Sequence, residues 1–305
     1  MTTLVSGGTG LVGRYTVNAL LDAGHDVVVA GRHRPPDSQF AKPVRFRQLS
    51  LSNDTVPTGL FDDVQEFVHA AFDHEPGRYR GGEGDDPDGF RRRNFEGSVR
   101  LFETARRAGL SRTVFLSSRA VYDGLPAGEM LTEETPLSPA SLYGRVKLDC
   151  EQALAGLNAP GFVTASLRLT GVYGGLRPNK WDGLIADYLS GKDISARAGS
   201  EVHGEDVGKA VRLMFEAKAE DIGGRSFNVS DIVADTRDIL AGLGVTGKSL
   251  PEAGDRSSVA VMDTARIRGL GWQPGGWPLF TDTLQALARD AGLGLAHNQA
   301  MGTDS

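Results

Sequence analysis

Ser6-Gly7-Gly8-Thr9-Gly10-Leu11-Val12-Gly13 sets three glycines, Gly7, Gly10 and Gly13, at three-residue intervals directly after the first apolar run of the chain. A strand that turns into a helix over so few residues needs positions without Cβ atoms. Backbone N–H groups can then approach a pyrophosphate, and the helix N-terminus directs its partial positive charge at that anion, worth ~0.3–1 kcal/mol for an exposed charge. The third glycine lets the helix lie close on the strand. A glycine string alone is a weak signal. This one follows a strand, opens a helix and is succeeded by a second strand at the right distance, which predicts a dinucleotide-binding turn.

The rest of the chain keeps the rhythm that such a turn requires. Short β-branched runs at 3–6, 27–30, 44–49, 66–70, 113–117 and 163–169 alternate with amphipathic stretches at 11–23, 90–108 and 141–157. Strands that are apolar throughout imply a parallel sheet covered by helices on both faces, a doubly wound α/β (Rossmann) fold. From 172 onward the elements shorten. The organisation expected is a dinucleotide-binding domain from 1–170 plus about 200–230, a small substrate lobe from 171–199 plus 231–295, and a frayed tail at 296–305.

Composition narrows the partners. A net charge of −6 gives no electrostatic footprint for nucleic acid or an anionic membrane. One cysteine, Cys150, excludes an internal disulfide and a cysteine-built metal site, and fits a reducing cytoplasm; it reads as a small helix residue. The six histidines carry no HExxH-like pairing, so no metal is expected. No apolar stretch approaches the ~18–20 residues of a membrane span, and the chain enters its first strand too soon for a signal peptide.

A residue that reads the cofactor is expected about 20 residues beyond the glycines, where an acidic side chain would select NAD. This chain has Gly31-Arg32-His33-Arg34 there. Two guanidinium groups and no carboxylate welcome a 2′-phosphate through bidentate, charge-assisted bonds, so NADP is expected ahead of NAD. In the other reading Arg32 stacks on adenine and either cofactor serves.

Tyr143-Gly144-Arg145-Val146-Lys147 opens an apolar-periodic helix, and four-residue spacing puts Tyr143 and Lys147 on one face. A phenol with a reference pKa of about 10 is a poor proton acceptor near neutrality. An ammonium ~4 Å away at an effective dielectric of ~20 stabilises phenolate by roughly 4 kcal/mol, or about three pKa units. Lys147 also has donors to spare for a nicotinamide ribose. Ser117 and Ser118 end a strand where open α/β sheets bind ligands, so Ser118 is expected to hydrogen-bond the reacting oxygen opposite Tyr143.

With these residues in view, the chain resembles the extended short-chain dehydrogenases/reductases, the NAD(P)-dependent epimerase/dehydratase family. The matching stretches are SGGTGLVG (6–13), VHAAF (68–72), NFEGS (94–98), VFLSSRAVYDG (114–124), YGRVKLDCEQAL (143–154), LRLTGVYGG (167–175), HGEDVGKA (203–210) and FNVS (227–230), with GLGWQP (269–274) later. The resemblance implies Ser118, Tyr143 and Lys147 as a catalytic trio. It implies Ala70, Ala71 and Asn94 near the cofactor, Asn94 holding the fold around it, with Asp206 and His203 structural. Thr9, Leu11, Val12, Leu51, Phe72, Ser117, Leu169 and Gly171 complete the expected cofactor lining. Phe72, Arg78, Ser118, Arg119 and Arg197 are the substrate candidates. A homodimer is common among such proteins.

The chain also departs from the pattern. Gly31 and Ser50 stand where acidic residues are common in relatives that use NAD. Ser118 is followed by Arg119-Ala120 in place of the Asp–Glu pair that eliminates water, which argues against a dehydratase. Gly171 stands where many nucleotide-sugar enzymes carry Asn, and the segment 191–202 is short, with Arg197 its obvious diphosphate partner. The expected function is hydride transfer at a carbinol or carbonyl carbon of a sugar, nucleotide-linked or not, as an epimerase or a dehydrogenase. An NADPH-dependent reductase of a non-nucleotide ketone or aldehyde is the alternative, and a non-catalytic dinucleotide-binding scaffold a third reading. The loop at 73–89 reads either as a lid carrying Arg78 or Arg80 or as a solvated loop with internal charge pairs.

Overall fold

Val27, Val28, Val29 and Ala30 are all buried, so side chains on both faces of this strand are covered. That requires helices on each side of the sheet, and the computed structural model, which describes residues 1–75 and 81–293, has them. Strands β1 (Thr2–Ser6), β2 (Asp26–Gly31), β3 (Arg45–Gln48), β4 (Glu66–His69) and β5 (Arg112–Ser118) enter one sheet. β6 (Met130–Leu131) lies outside it, and β7 (Val163–Leu169) returns. β8 (Gly171–Tyr173) and β9 (Ala198–His203) leave again, β10 (Arg225–Val229) completes the large sheet, and β11 (Ile232–Asp235) and β12 (Val261–Met262) follow.

The large sheet has seven parallel strands in the order β10-β7-β5-β4-β1-β2-β3. The chain runs from β1 outward to β3 and then crosses back to β4 on the other side of β1. This reversal of strand order opens a crevice at the carboxyl ends of β1 and β4, where such sheets take ligands. A smaller sheet has the order β11-β9-β8, with β8 and β9 parallel and β11 antiparallel. β12 pairs with β6 alone.

The helices are α1 (Leu11–Asp22), α2 (Pro87–Arg91), α3 (Gly97–Arg107), α4 (Leu142–Gly156), α5 (Asp182–Leu189), α6 (Gly204–Glu216), α7 (Ala219–Ile222), α8 (Thr236–Gly242), α9 (Ala265–Gly269) and α10 (Gly276–Asp290). Most boundaries lie within two residues of the sequence reading. The helix read at 90–108 differs: it starts at Pro87 and contains a π-type turn over Arg92–Glu96. Buried Asn94 sits in that turn, and its side chain bonds the chain leaving β4. Strand β10 was legible only through the FNVS resemblance. Arg78, Arg80 and the tail at 296–305 lie outside the described residues.

Trp181 and Tyr188 are buried beside Tyr173, Phe280 and Leu284 in a separate apolar cluster, with the Tyr173 and Trp181 rings stacked at 5.1 Å. They pack the region around the small sheet. Among the described residues no helix is long and apolar enough to cross a membrane, and no group of three or more His, Cys, Asp or Glu is disposed to hold a metal.

Two stretches distant in sequence meet at Asp206. Its buried carboxylate accepts from Gly275 N–H at 2.9 Å and from Lys209, while its own carbonyl accepts from Trp272 Nε1 at 2.9 Å. HGEDV and GLGWQP are therefore two halves of one clasp, holding α6 to the turn before α10. Asp206→Ala removes the buried acceptor that Gly275 N–H and Lys209 share, so it should lower the unfolding free energy by about 1–3 kcal/mol. Urea titration measures this; a loss below a few tenths would remove the clasp from the account.

Candidate active site

The glycine turn passes too close to its neighbours to admit side chains. Gly7 has φ +71, a left-handed conformation, and a Cβ there would stand 2.6 Å from Ala71 N. A Cβ on Gly13 would stand 2.1 Å from Gly7 O. Gly10 caps α1 without a side-chain hydrogen bond, and the first turn holds no acid, so the N–H groups at the helix start are left for an anion. Thr9, Leu11 and Val12 flank this opening. Ala70 and Ala71 form its opposite wall, since the Gly7 Cβ position abuts both. These features fit a dinucleotide pyrophosphate.

Lys147 stands at the far side of the crevice. It is buried, and its Nζ donates to Leu116 O at 2.8 Å. Aromatic faces enclose the ammonium, Phe72 at 4.6 Å and Phe115 at 4.7 Å from ring centroids, with the Tyr143 ring at 5.8 Å. Phe72 meets Tyr143 edge-on at 5.1 Å. Burial lowers the Lys147 pKa to about 8, while Cys150 and Glu151 act the other way. Ser141 caps α4 by accepting from Gly144 N–H at 3.1 Å, which fixes where the helix begins and so where Tyr143 and Lys147 point.

Ser118 ends β5 and caps the short turn Arg119–Tyr122, its Oγ accepting from Ala120 N–H at 3.1 Å. A Cβ on Gly144 would lie 2.4 Å from Ala120 O, so the start of α4 touches the turn that begins at Ser118. Tyr143 and Ser118 are the chain neighbours of those two contacting groups' segments. The start of α4, which carries Tyr143 and Lys147, thus lies against the turn that Ser118 opens at the carboxyl end of β5. Ser117 Oγ is buried with no hydrogen-bond partner among the described residues.

Behind the site lie polar groups that the sequence reading did not single out. His69 bridges Ser6 Oγ at 2.6 Å and Ser98 Oγ at 2.7 Å, and Ser98 donates on to Asn94 O. Burial, then the charge of Lys147, pushes the His69 pKa down to about 3, so the ring is neutral at physiological pH. Asn94 accepts from Asp73 N–H at 2.6 Å and donates to Asp73 O at 2.7 Å, pinning the segment that carries Phe72. One turn beyond Lys147, buried Glu151 takes a forked bond from Arg168, which also donates to Tyr122 OH at 2.6 Å. The pair locks α4 to β7. Its signal was present: an arginine inside an apolar strand run, and an acid on the helix face of Lys147.

The remaining candidates are more scattered. Arg32 is exposed and faces Asp73 at 3.6 Å, while Arg34 lies over the Phe46 ring. Leu51 is buried under α3, and Leu169 is buried beside Ser118 in the strand register. Arg119 donates to Ala260 O and Asp123, holding its turn against the chain before β12. Arg197 is exposed beyond the small sheet. Arg78 lies outside the described residues.

The model of the NAD dependent epimerase/dehydratase family matches residues 3–230, about three quarters of the chain. The chain belongs to this family. Similar curated proteins include UDP-glucose 4-epimerases of Corynebacterium glutamicum, 28% identical over 96% of this chain and 97% of that one, and of Lacticaseibacillus casei, 27% identical over 90% and 92%. Among solved structures, MoeE5 in complex with UDP-glucuronic acid and NAD has a TM-score of 0.78 at 23% identity, covering 95% of this chain and all of that one. The UDP-glucose 4-epimerase of Thermotoga maritima with UDP-glucose has a TM-score of 0.77 at 20% identity, covering 96% of this chain and 100% of its own. These structures share the fold.

Burial gives Lys147 a titration that can be measured. Its pKa of about 8 lies below the ordinary 10.5, so between those values the unfolded chain holds a proton that the folded chain has released. The burial of this charge therefore weighs on stability below pH ~8 and is relieved as pH rises towards 10.5. Relative to Lys147→Met, wild-type unfolding free energy should climb across that window. A flat or falling difference in urea titrations at several pH values would contradict it.

Proposed function

We propose that this chain is an epimerase that inverts a carbinol carbon of a nucleotide-linked sugar through a transient ketone. The observation that carries this reading is the enclosed Lys147 ammonium beside Tyr143, at the strand end that bears Ser118 and across from the glycine turn. When bound, a nicotinamide supplies the place where hydride is lodged and from which it is returned. Tyr143, as phenolate, takes the proton of the substrate hydroxyl and, as phenol, gives it back. Lys147 makes that exchange accessible near neutrality by favouring the phenolate, and Ser118 Oγ donates a hydrogen bond to the same oxygen. Phe72 and Phe115 exclude water around the lysine, which strengthens its effect on the phenol. Arg119-Ala120 offers no acid–base pair for elimination, which leaves epimerisation or simple oxidation. The whole-length likeness to UDP-glucose 4-epimerases supports the former.

The cofactor we infer is NAD. The family is described as NAD dependent, and MoeE5 was solved with NAD. NADP had its support in Arg32 and Arg34, and the surroundings of both reduce it. Asp73 sets a carboxylate 3.6 Å from Arg32 while pairing more closely with Arg93 at 3.0 Å, and Arg34 is engaged with Phe46. With that charge compensated, the argument for an NADPH-driven reductase also weakens. NAD should bind several-fold more tightly than NADP to the wild-type chain, and Asp73→Asn should shift the ratio towards NADP by freeing Arg32. Titration of both cofactors checks this; NADP binding tighter by about tenfold, ~1.4 kcal/mol, would restore the charge-based choice.

For the chemistry, Tyr143→Phe should lower kcat by about 10²-fold or more with NAD affinity within about twofold, as expected for loss of a proton-transfer group. Steady-state assay with UDP-glucose and direct NAD titration read the two effects. Retained turnover in that variant would remove Tyr143 from the mechanism.

A further inference from the structure

Tyr143, Lys147 and Glu151 follow one another at four-residue steps along α4, so they share one stripe of the helix with ~6 Å between successive Cβ atoms. The first two have roles in the mechanism above, and Glu151 has none. It is buried, and its carboxylate is held from two strands. Arg168 of β7 donates through Nε to both oxygens, at 3.1 and 3.0 Å, and through Nη2 to Oε2 at 2.8 Å. Ser226 Oγ of β10 donates to Oε2 at 3.1 Å. The third guanidinium nitrogen donates to the hydroxyl of Tyr122, which ends the turn that Ser118 opens. Apolar side chains of similar volume could join these elements at least as firmly. What they could not supply is a negative charge one helical turn from Lys147.

The groups around Lys147 leave that task to Glu151. The chain after β4 supplies the Phe72 face, and β5 supplies the Phe115 face and the Leu116 carbonyl, none of them charged. From β4 comes His69, kept neutral because burial, then the lysine's own charge, pushes its pKa down to about 3. On α4 itself, Cys150 and then Glu151 oppose the effect of burial on the ammonium. Burial pushes the Cys150 thiol up to about 12, so near neutrality the thiol carries no charge. Among these groups Glu151 is the anion that remains.

We propose that Glu151 is a positioning residue that keeps Lys147 charged for the phenol, and that Arg168 and Ser226 hold its carboxylate in place for that task. The influence is relayed in two steps, from carboxylate to ammonium and from ammonium to the Tyr143 oxygen. Both Glu151 and Lys147 are buried, so the field between them is poorly screened. A neutral lysine would cease to favour the phenolate. This inference rests on the Tyr143 chemistry proposed above and names what sustains it.

The test is the titration of Lys147 in the full-length chain, followed by NMR of lysines labelled with carbon-13 at Cε. The Lys147 signal is the one missing from Lys147→Met. Glu151→Gln should lower its midpoint by about one pH unit, a tenfold change in proton affinity. That lies within the ~2 units that a full charge at ~6 Å gives at an effective dielectric of ~20. Arg168→Gln breaks the same ion pair but keeps the carboxylate, so its midpoint should stay at or above the wild-type value. Glu151→Asp keeps the charge and should bring the midpoint back towards wild type. A merely structural clamp would respond alike to both breaks. Equal lowering in Glu151→Gln and Arg168→Gln, or no lowering in Glu151→Gln, would overturn the proposal. If Glu151→Gln does not fold, a lowered midpoint in Arg168→Gln overturns it alone. The lysine itself is the readout, so failure to turn over UDP-glucose would count against the function proposed above and leave this result standing.

Discussion

A charged ammonium buried under two phenylalanine faces is the constraint around which this chain is arranged. Lys147 loses its water on folding, which is costly for a cation. What compensates it is specific: the Leu116 carbonyl, the Phe72 and Phe115 faces, and the nearby carboxylate of Glu151. Each of these partners must itself be held. Leu116 and Phe115 belong to central strand β5, Phe72 is pinned through Asn94, and Glu151 is gripped by Arg168. The polar network behind the site thus maintains a charge where a nearby phenol can use it. Buried ion pairs contribute uncertainly to net stability, but one that is fully hydrogen-bonded restricts how a helix can seat. The Arg168–Glu151–Tyr122 set confines α4 in this way.

Much of the frame was legible because local chemistry determined it. Gly7 and Gly13 stand where the backbone passes too close for a Cβ, so glycine spacing named the turn before any fold was known. Tyr143 and Lys147 share a helix face by spacing alone, and Ser141 marks the start of that helix in the way N-caps do. What the sequence hid depended on pairing between distant segments. Nothing near Arg32 announces Asp73, which arrives from the end of another strand. The π-type turn at Asn94 arises from bonds to a loop 21 residues earlier, and helical periodicity is silent about it. Glu201 of β9 meets Lys180, which lies in the loop before α5, a pairing across 21 residues.

The departures from the family pattern take on meaning through those pairings. Gly31 and the arginines after it read as a phosphate site until Asp73 is set beside them. The frame itself is that of the NAD dependent epimerase/dehydratase family.

Following the hydrogen on the reacting carbon tests the central claim most directly. The NAD-loaded chain would be given UDP-glucose carrying deuterium at the ring carbon that inverts, and the product examined by mass spectrometry and NMR. Transfer within the closed site should leave the deuterium on the inverted carbon of the product, with none exchanged for solvent hydrogen. Loss of the label to water would mean that the carbon is deprotonated rather than oxidised, and would contradict the account.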